Sequence, residues 1–156
     1  MKDSKFYMKK IVILVSSIFF VLNVQAQKPN PVKWSFTAVK KSEKQYDIIA
    51  TAIIDAPWHM YSQFVKGGPI PTHFSFSKNP LVQLVGKTKE IGKLQKMFDK
   101  NFNTELTFFS DKVEFVQTVN LKVASKTNLA GVVDYSICND DRCLPPAKVS
   151  FEVALH

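Results

Sequence analysis

The 156-residue sequence contains no Cys-x-x-Cys pair, no phosphate-binding glycine loop, no dinucleotide fingerprint and no hydrolase signature of Ser, His and Asp. These gaps exclude the commonest nucleotide-dependent and hydrolytic chemistries. Histidine is scarce, and His59, His73 and His156 are distant in sequence from one another and from the cysteines. Zinc motifs need paired ligands a few residues apart, so no metal and no cofactor is expected. Long apolar runs are nearly missing: residues 11–22 form the one candidate, interrupted by Ser16 and Ser17, whereas a membrane span needs about 20 residues. Cysteine is limited to Cys138 and Cys143, neither placed where a lipid would be attached near the N-terminus.

The apolar run has the flanks of a processing signal. Lys2, Lys5, Lys9 and Lys10 precede it, and Val24-Gln25-Ala26 follows with small residues at the cleavage position. The reading is a signal peptide over residues 1–26, a mature chain starting at Gln27 without a stable membrane span, and export to a compartment in which disulfides persist. The segment holds four lysines and one aspartate, so losing its net +3 lowers the charge from +8 to +5. The remaining lysines are scattered among turn-like stretches, whereas a nucleic-acid surface clusters them with aromatics on one face, so no nucleic-acid partner is expected. Residues 27–156 are enough for one domain with a sizeable core, read as a monomer.

The body of the chain alternates apolar and polar residues. Residues 34–39 and 46–54 read as a hairpin, 72–77 and 81–85 as further strands ended by Asn79-Pro80 and Gly86, and 113–123 as the longest strand. In that last stretch Val113, Phe115, Val119, Leu121 and Val123 share one face, and Gln117 breaks the stripe. Only residues 90–99 have any claim to helix. Seven or eight short strands separated by turn signals predict an all-β, immunoglobulin-like antiparallel β-sandwich.

The candidate site is Tyr135-Ser-Ile-Cys138-Asn-Asp-Asp-Arg-Cys143-Leu-Pro-Pro146. Val132, Val133, Tyr135 and Ile137 before it, and Val149, Phe151, Val153 and Leu155 after it, read as two hairpin strands meeting at a short polar loop. Opposed residues in such a pair approach closely enough for a disulfide. A six-residue ring stabilises by only about 2 kcal/mol in the chain-entropy model, so as a staple the bond is weak. A redox-active pair and a structural clip both fit the spacing. Within the loop, Asp140 and Asp141 disfavour a thiolate while Arg142 favours one; a plain polar turn is the other reading.

The string Tyr-x-x-Cys-Asn-Asp-x-x-Cys-Leu-Pro-Pro resembles the N-terminal periplasmic domain of the thiol:disulfide interchange protein DsbD. Trp58-His59-Met60-Tyr61-Ser62-Gln63 is similar to that family's aromatic segment facing the cysteines, and residues 98–109 to its cap loop and following strand. This chain has four residues between the cysteines where better-known members have five. The resemblance implies thiol:disulfide interchange through Cys138 and Cys143, electrons received from a thioredoxin-like protein and passed to oxidised periplasmic proteins. It also implies that His59 and Tyr61 lie beside the sulfurs, that Phe102, with Phe98 nearby, covers them, and that Cys143, next to Arg142, engages partners. Pro145 and Pro146 lack backbone donors, which leaves the segment after Cys143 open to a docking protein. Without the resemblance, Trp58 and the loop phenylalanines read as core residues and His59 as a solvated strand end.

Overall fold

Eleven strands are present among the described residues, 30–100 and 102–156 of the computed structural model. They are β1 (Val32–Lys40), β2 (Gln45–Ile54), β3 (His59–Tyr61), β4 (His73–Phe76), β5 (Val82–Gly92) and β6 (Gln95–Asp99), then β7 (Thr104–Phe109), β8 (Asp111–Leu121), β9 (Thr127–Tyr135), β10 (Ile137–Cys138) and β11 (Ala147–Leu155). No helix occurs among the described residues. The predicted signal segment, residues 1–26, lies outside them.

Three antiparallel sheets have the orders β1-β2-β8-β5, β11-β9-β4 and β10-β3-β7-β6. The first two bury opposing stripes. Tyr46, Ile48, Ala50, Ala52 and Ile54 of β2 alternate with exposed or half-buried neighbours, and so do Leu129, Val133 and Tyr135 of β9. Period-two patterning therefore produces the immunoglobulin-like sandwich directly. Its centre is aromatic: Phe36 stacks on Phe151 at 4.6 Å, and Phe115 meets Phe74 at 5.0 Å and Trp34 at 5.9 Å. Gly131 lies opposite Phe151 in the β9–β11 ladder, where a Cβ would come within 2.5 Å of the Phe151 ring and 2.7 Å of the Ser75 carbonyl.

Four sequence expectations are corrected. Gly86 does not end its strand: β5 continues to Gly92 through a bulge between Val85 and Lys89, where Gly86 takes φ +68°. Gln117 interrupts the β8 stripe because it serves that bulge, its Nε2 donating to the Val85 carbonyl at 3.1 Å while its Oε1 accepts from Thr88 Oγ1 at 3.0 Å. Residues 90–99, the one stretch with a claim to helix, form the end of β5 and all of β6; pairing with β8 and β7 overrides a weak local preference. Val123 lies past the end of β8 and is exposed.

The fourth correction concerns the candidate hairpin. Strands β9 and β11 pair over Tyr135↔Ala147 to Thr127↔Leu155, but Ile137 is not in the β9 arm. The chain leaves that ladder at Ser136 and enters the third sheet as β10, pairing Ile137↔Met60 and Cys138↔His59.

Candidate functional site

Alternation across the third sheet separates core from site. Ile137, Met60 and Phe109 fall in register and join the main core. The residues between them face the other way: Cys138 opposite His59, and Tyr61 opposite Phe108. With Leu106 and Val65 these residues build a small separate cluster in which Cys138 and Tyr61 are each 2 % exposed.

The disulfide closes the cluster at one side. Cys138 and Cys143 form an isolated antiparallel bridge with Cα atoms 4.0 Å apart, and their sulfurs are bonded. The intervening turn is held by its own side chains: Asn139 Oδ1 accepts from the Asp141 and Arg142 amides, and the Asn139 amide donates to the Arg142 carbonyl. This is the Asx chemistry that favours Asn in turns. Leu144 N–H then donates to the Ile137 carbonyl at 3.0 Å. The two ends of the bond differ sharply, because Cys138 is buried and Cys143 is exposed. Pro145 and Pro146 follow, exposed and outside any strand.

His59 and Tyr61, two residues apart on β3, share the face of Cys138. Their side chains meet at 3.2 Å between Nε2 and Oη, and the His59 ring packs on Phe108 at 4.7 Å. Burial lowers the basicity of His59 below its ordinary value by desolvating the imidazolium, and Asp140 opposes that in part. Burial raises the Tyr61 hydroxyl, and the negative field of Asp99 adds to it. His59 is thus a buried, neutral group at neutral pH rather than the solvated strand end of the residue-level reading.

A loop roofs this cluster. Ser62 Oγ and the Gln63 amide both donate to the Glu90 carboxylate on β5, at 2.8 and 2.6 Å, and Thr72 Oγ1 returns to the Tyr61 carbonyl at 2.6 Å. Between those anchors Val65 enters the cluster and Gly67 and Gly68 take positive φ. A Cβ on Gly68 would stand 2.8 Å from Leu106 and 3.5 Å from the Phe102 ring. Phe102, half exposed at the β6–β7 tip, therefore lies against Gly68 and shares that contact with Leu106 of the Cys138 cluster.

Two predicted residues are placed differently. Phe98 is 62 % exposed and alternates with Met97 and Asp99 on β6, which puts it on the sheet face opposite Tyr61. Arg142 directs its guanidinium over the Trp58 ring, 6.0 Å from the centroid, and Trp58 itself is half-buried against the main core. Leu106, Phe108, Val65 and Gly68 were not singled out in sequence. For Leu106 and Phe108 the period-two pattern of β7 was the available signal; the loop residues had none, because loop conformation follows from tertiary anchors. No group of three or more metal-ligating side chains occurs among the described residues.

Comparison with solved structures finds the same fold at low identity. The Neisseria meningitidis DsbD N-terminal domain in the reduced form matches with a TM-score of 0.57 and 16 % identity, over 85 % of this chain and 93 % of that one. The complex between the DsbD N-terminal and PilB N-terminal domains from the same organism matches at 0.51 and 12 % identity, over 82 % and 88 %. The N-terminal periplasmic domain of ScsB from Proteus mirabilis matches at 0.54 and 16 % identity, over 81 % of this chain and 47 % of that one. No curated protein matches. Residues 23–155 match the family model described as thiol:disulfide interchange protein DsbD, N-terminal, and the chain belongs to that family.

Proposed function

We propose that this protein is a periplasmic thiol:disulfide exchange module, delivered by the signal segment 1–26, that carries reducing equivalents from a thioredoxin-like donor to oxidised proteins. The observation that carries the reading is the asymmetry of the disulfide, one end exposed on a tight turn and the other buried among Tyr61, Leu106 and Val65. An incoming thiolate has access to Cys143, and access is one determinant of exchange rate. Attack on Cys143 Sγ forms a mixed disulfide and leaves the electron pair on Cys138 Sγ. The donor's second thiol then attacks its own sulfur in that mixed disulfide and releases Cys143. Two electrons and two protons pass from the donor dithiol to the pair, and reversal of the steps reduces an oxidised acceptor. The DsbD N-terminal domain of Neisseria meningitidis is described in complex with a PilB N-terminal domain, which supports a protein as the exchange partner.

In this reading Phe102 and the Gly67–Gly68 loop cover the Cys138 side of the pair through Leu106, and the Pro145-Pro146 segment is open to docking. Exposure, rather than the charge of Arg142, selects Cys143. The test uses single Cys→Ala variants and a thioredoxin-like protein lacking its own resolving cysteine. Cys138→Ala is expected to trap a mixed disulfide and Cys143→Ala is not. The reverse pattern overturns the assignment, and no trapping with either identifies a structural clip.

A further inference from the structure

Once Cys143 is bound in a mixed disulfide, the reaction completes only if Cys138 loses its proton. That sulfur sits in an apolar cluster, where a thiolate is poorly solvated. Water reaches it poorly, since Cys138 is 2 % exposed. The residue directly opposite Cys138 in the β3–β10 ladder is His59, and opposed residues put their side chains on the same face with Cβ atoms roughly 4.5–5.5 Å apart. Tyr61, packed in the same cluster as Cys138, hydrogen-bonds the His59 ring at Nε2. We infer that His59, held by Tyr61, is the proton acceptor for Cys138 when that thiol attacks the mixed disulfide, and the proton donor to Cys138 in the reverse step.

This deepens the exchange reading and rests on it. The step balances: the Cys138 S–H proton passes to the neutral imidazole, the Cys138–Cys143 bond forms, the Cys143–partner bond breaks, and the partner leaves as its thiolate. Histidine suits the task because burial keeps it unprotonated at neutral pH. The charged and titratable groups around it are Tyr61 on its own strand, Asp140 in the intercysteine turn and, beyond Tyr61, Asp99 at the end of β6. Arg142, from the same turn, is directed to Trp58, the residue before His59.

The test uses reduced full-length protein and the chromogenic disulfide of 2-nitro-5-thiobenzoate. A first equivalent of the coloured thiolate reports formation of the mixed disulfide, and a second reports attack by Cys138. With an internal base, the second phase in the natural protein is expected to be nearly flat from about pH 6.5 to 8, since His59 is already neutral there. In His59→Gln it is expected to slow by about a hundredfold at pH 7, the range of general-base effects, and to rise tenfold per pH unit as free thiolate accumulates. An unchanged rate and pH profile in His59→Gln overturns the inference while leaving exchange intact. Absence of a second equivalent from the natural protein removes the exchange reading, and this inference with it. A readout independent of any variant is the imidazole NMR spectrum: reduction is expected to change the titration of His59, and an unmoved His59 overturns the assignment.

Discussion

At the scale of single residues, the proposed cover by Phe102, which lies against Gly68 beside the Cys138 cluster, is the most direct point of control to test. The Phe102 ring is 49 % exposed and rests on Gly68, so its removal strips little core surface. Phe102→Ala is expected to speed reduction of the disulfide by a small thiol while changing stability by no more than about 1 kcal/mol, measured by denaturant titration. A loss of about 3 kcal/mol, typical of a truncated core Phe, would place the ring in the core instead. Gly68→Ala acts from the other side. It combines a strained φ of +74° with a Cβ 2.8 Å from Leu106, so it is expected to displace the roof and also to raise the reduction rate.

At the scale of elements, two irregularities shape the two sheets that pack against each other beside the sheet of the site. The β5 bulge is satisfied by Gln117, and Thr88, at its end, is also the carbonyl acceptor for Gln63 in the roof loop. Gln117→Leu leaves the Val85 carbonyl and the Thr88 hydroxyl without this partner. It is expected to destabilise by about 1–3 kcal/mol, with faster amide exchange confined first to residues 85–89. In the facing sheet Gly131 is a packing requirement, because its missing Cβ is the space taken by Phe151. Gly131→Ala is expected to cost about 1–3 kcal/mol by overpacking, read as a lower denaturation midpoint at unchanged m-value.

At the scale of the whole molecule, the buried site groups impose a pH window on stability. His59 has a folded-state pKa below its ordinary 6.5, so the unfolded chain binds its proton more readily and stability falls as pH drops below about 6.5. Tyr61 is shifted the other way from 10.0, so the unfolded chain loses that proton more readily and stability falls as pH rises above about 10. The thermal midpoint is therefore expected to be highest between those limits, and His59→Asn to flatten the acid side relative to the natural protein. Reduction of the disulfide is expected to lower stability by only about 2 kcal/mol, consistent with a six-residue ring whose value lies in exchange rather than in cross-linking.

By itself the sequence determined the all-β class, the hairpin of β1 and β2 and the β9–β11 arms, because alternation with turn residues between runs leaves a two-residue period little choice of partner face. It also determined the cysteine pair, since only two were available to bond. The bulge at Gly86 was not legible, because a glycine between short apolar runs ends a strand as readily as it bends one. Nor was the departure of Ile137-Cys138 from the β9 arm into the sheet of β3 and β7. That switch depends on the strand partners Met60 and His59, 77 and 79 residues earlier in the chain, and no local pattern encodes them. The family resemblance placed His59 beside the sulfurs, but only the tertiary structure decided that it stands directly opposite Cys138, that Phe98 points away from it, and that Cys138 is buried while Cys143 is exposed. Each follows from register between distant strands, where a shift of one residue turns every side chain to the opposite face.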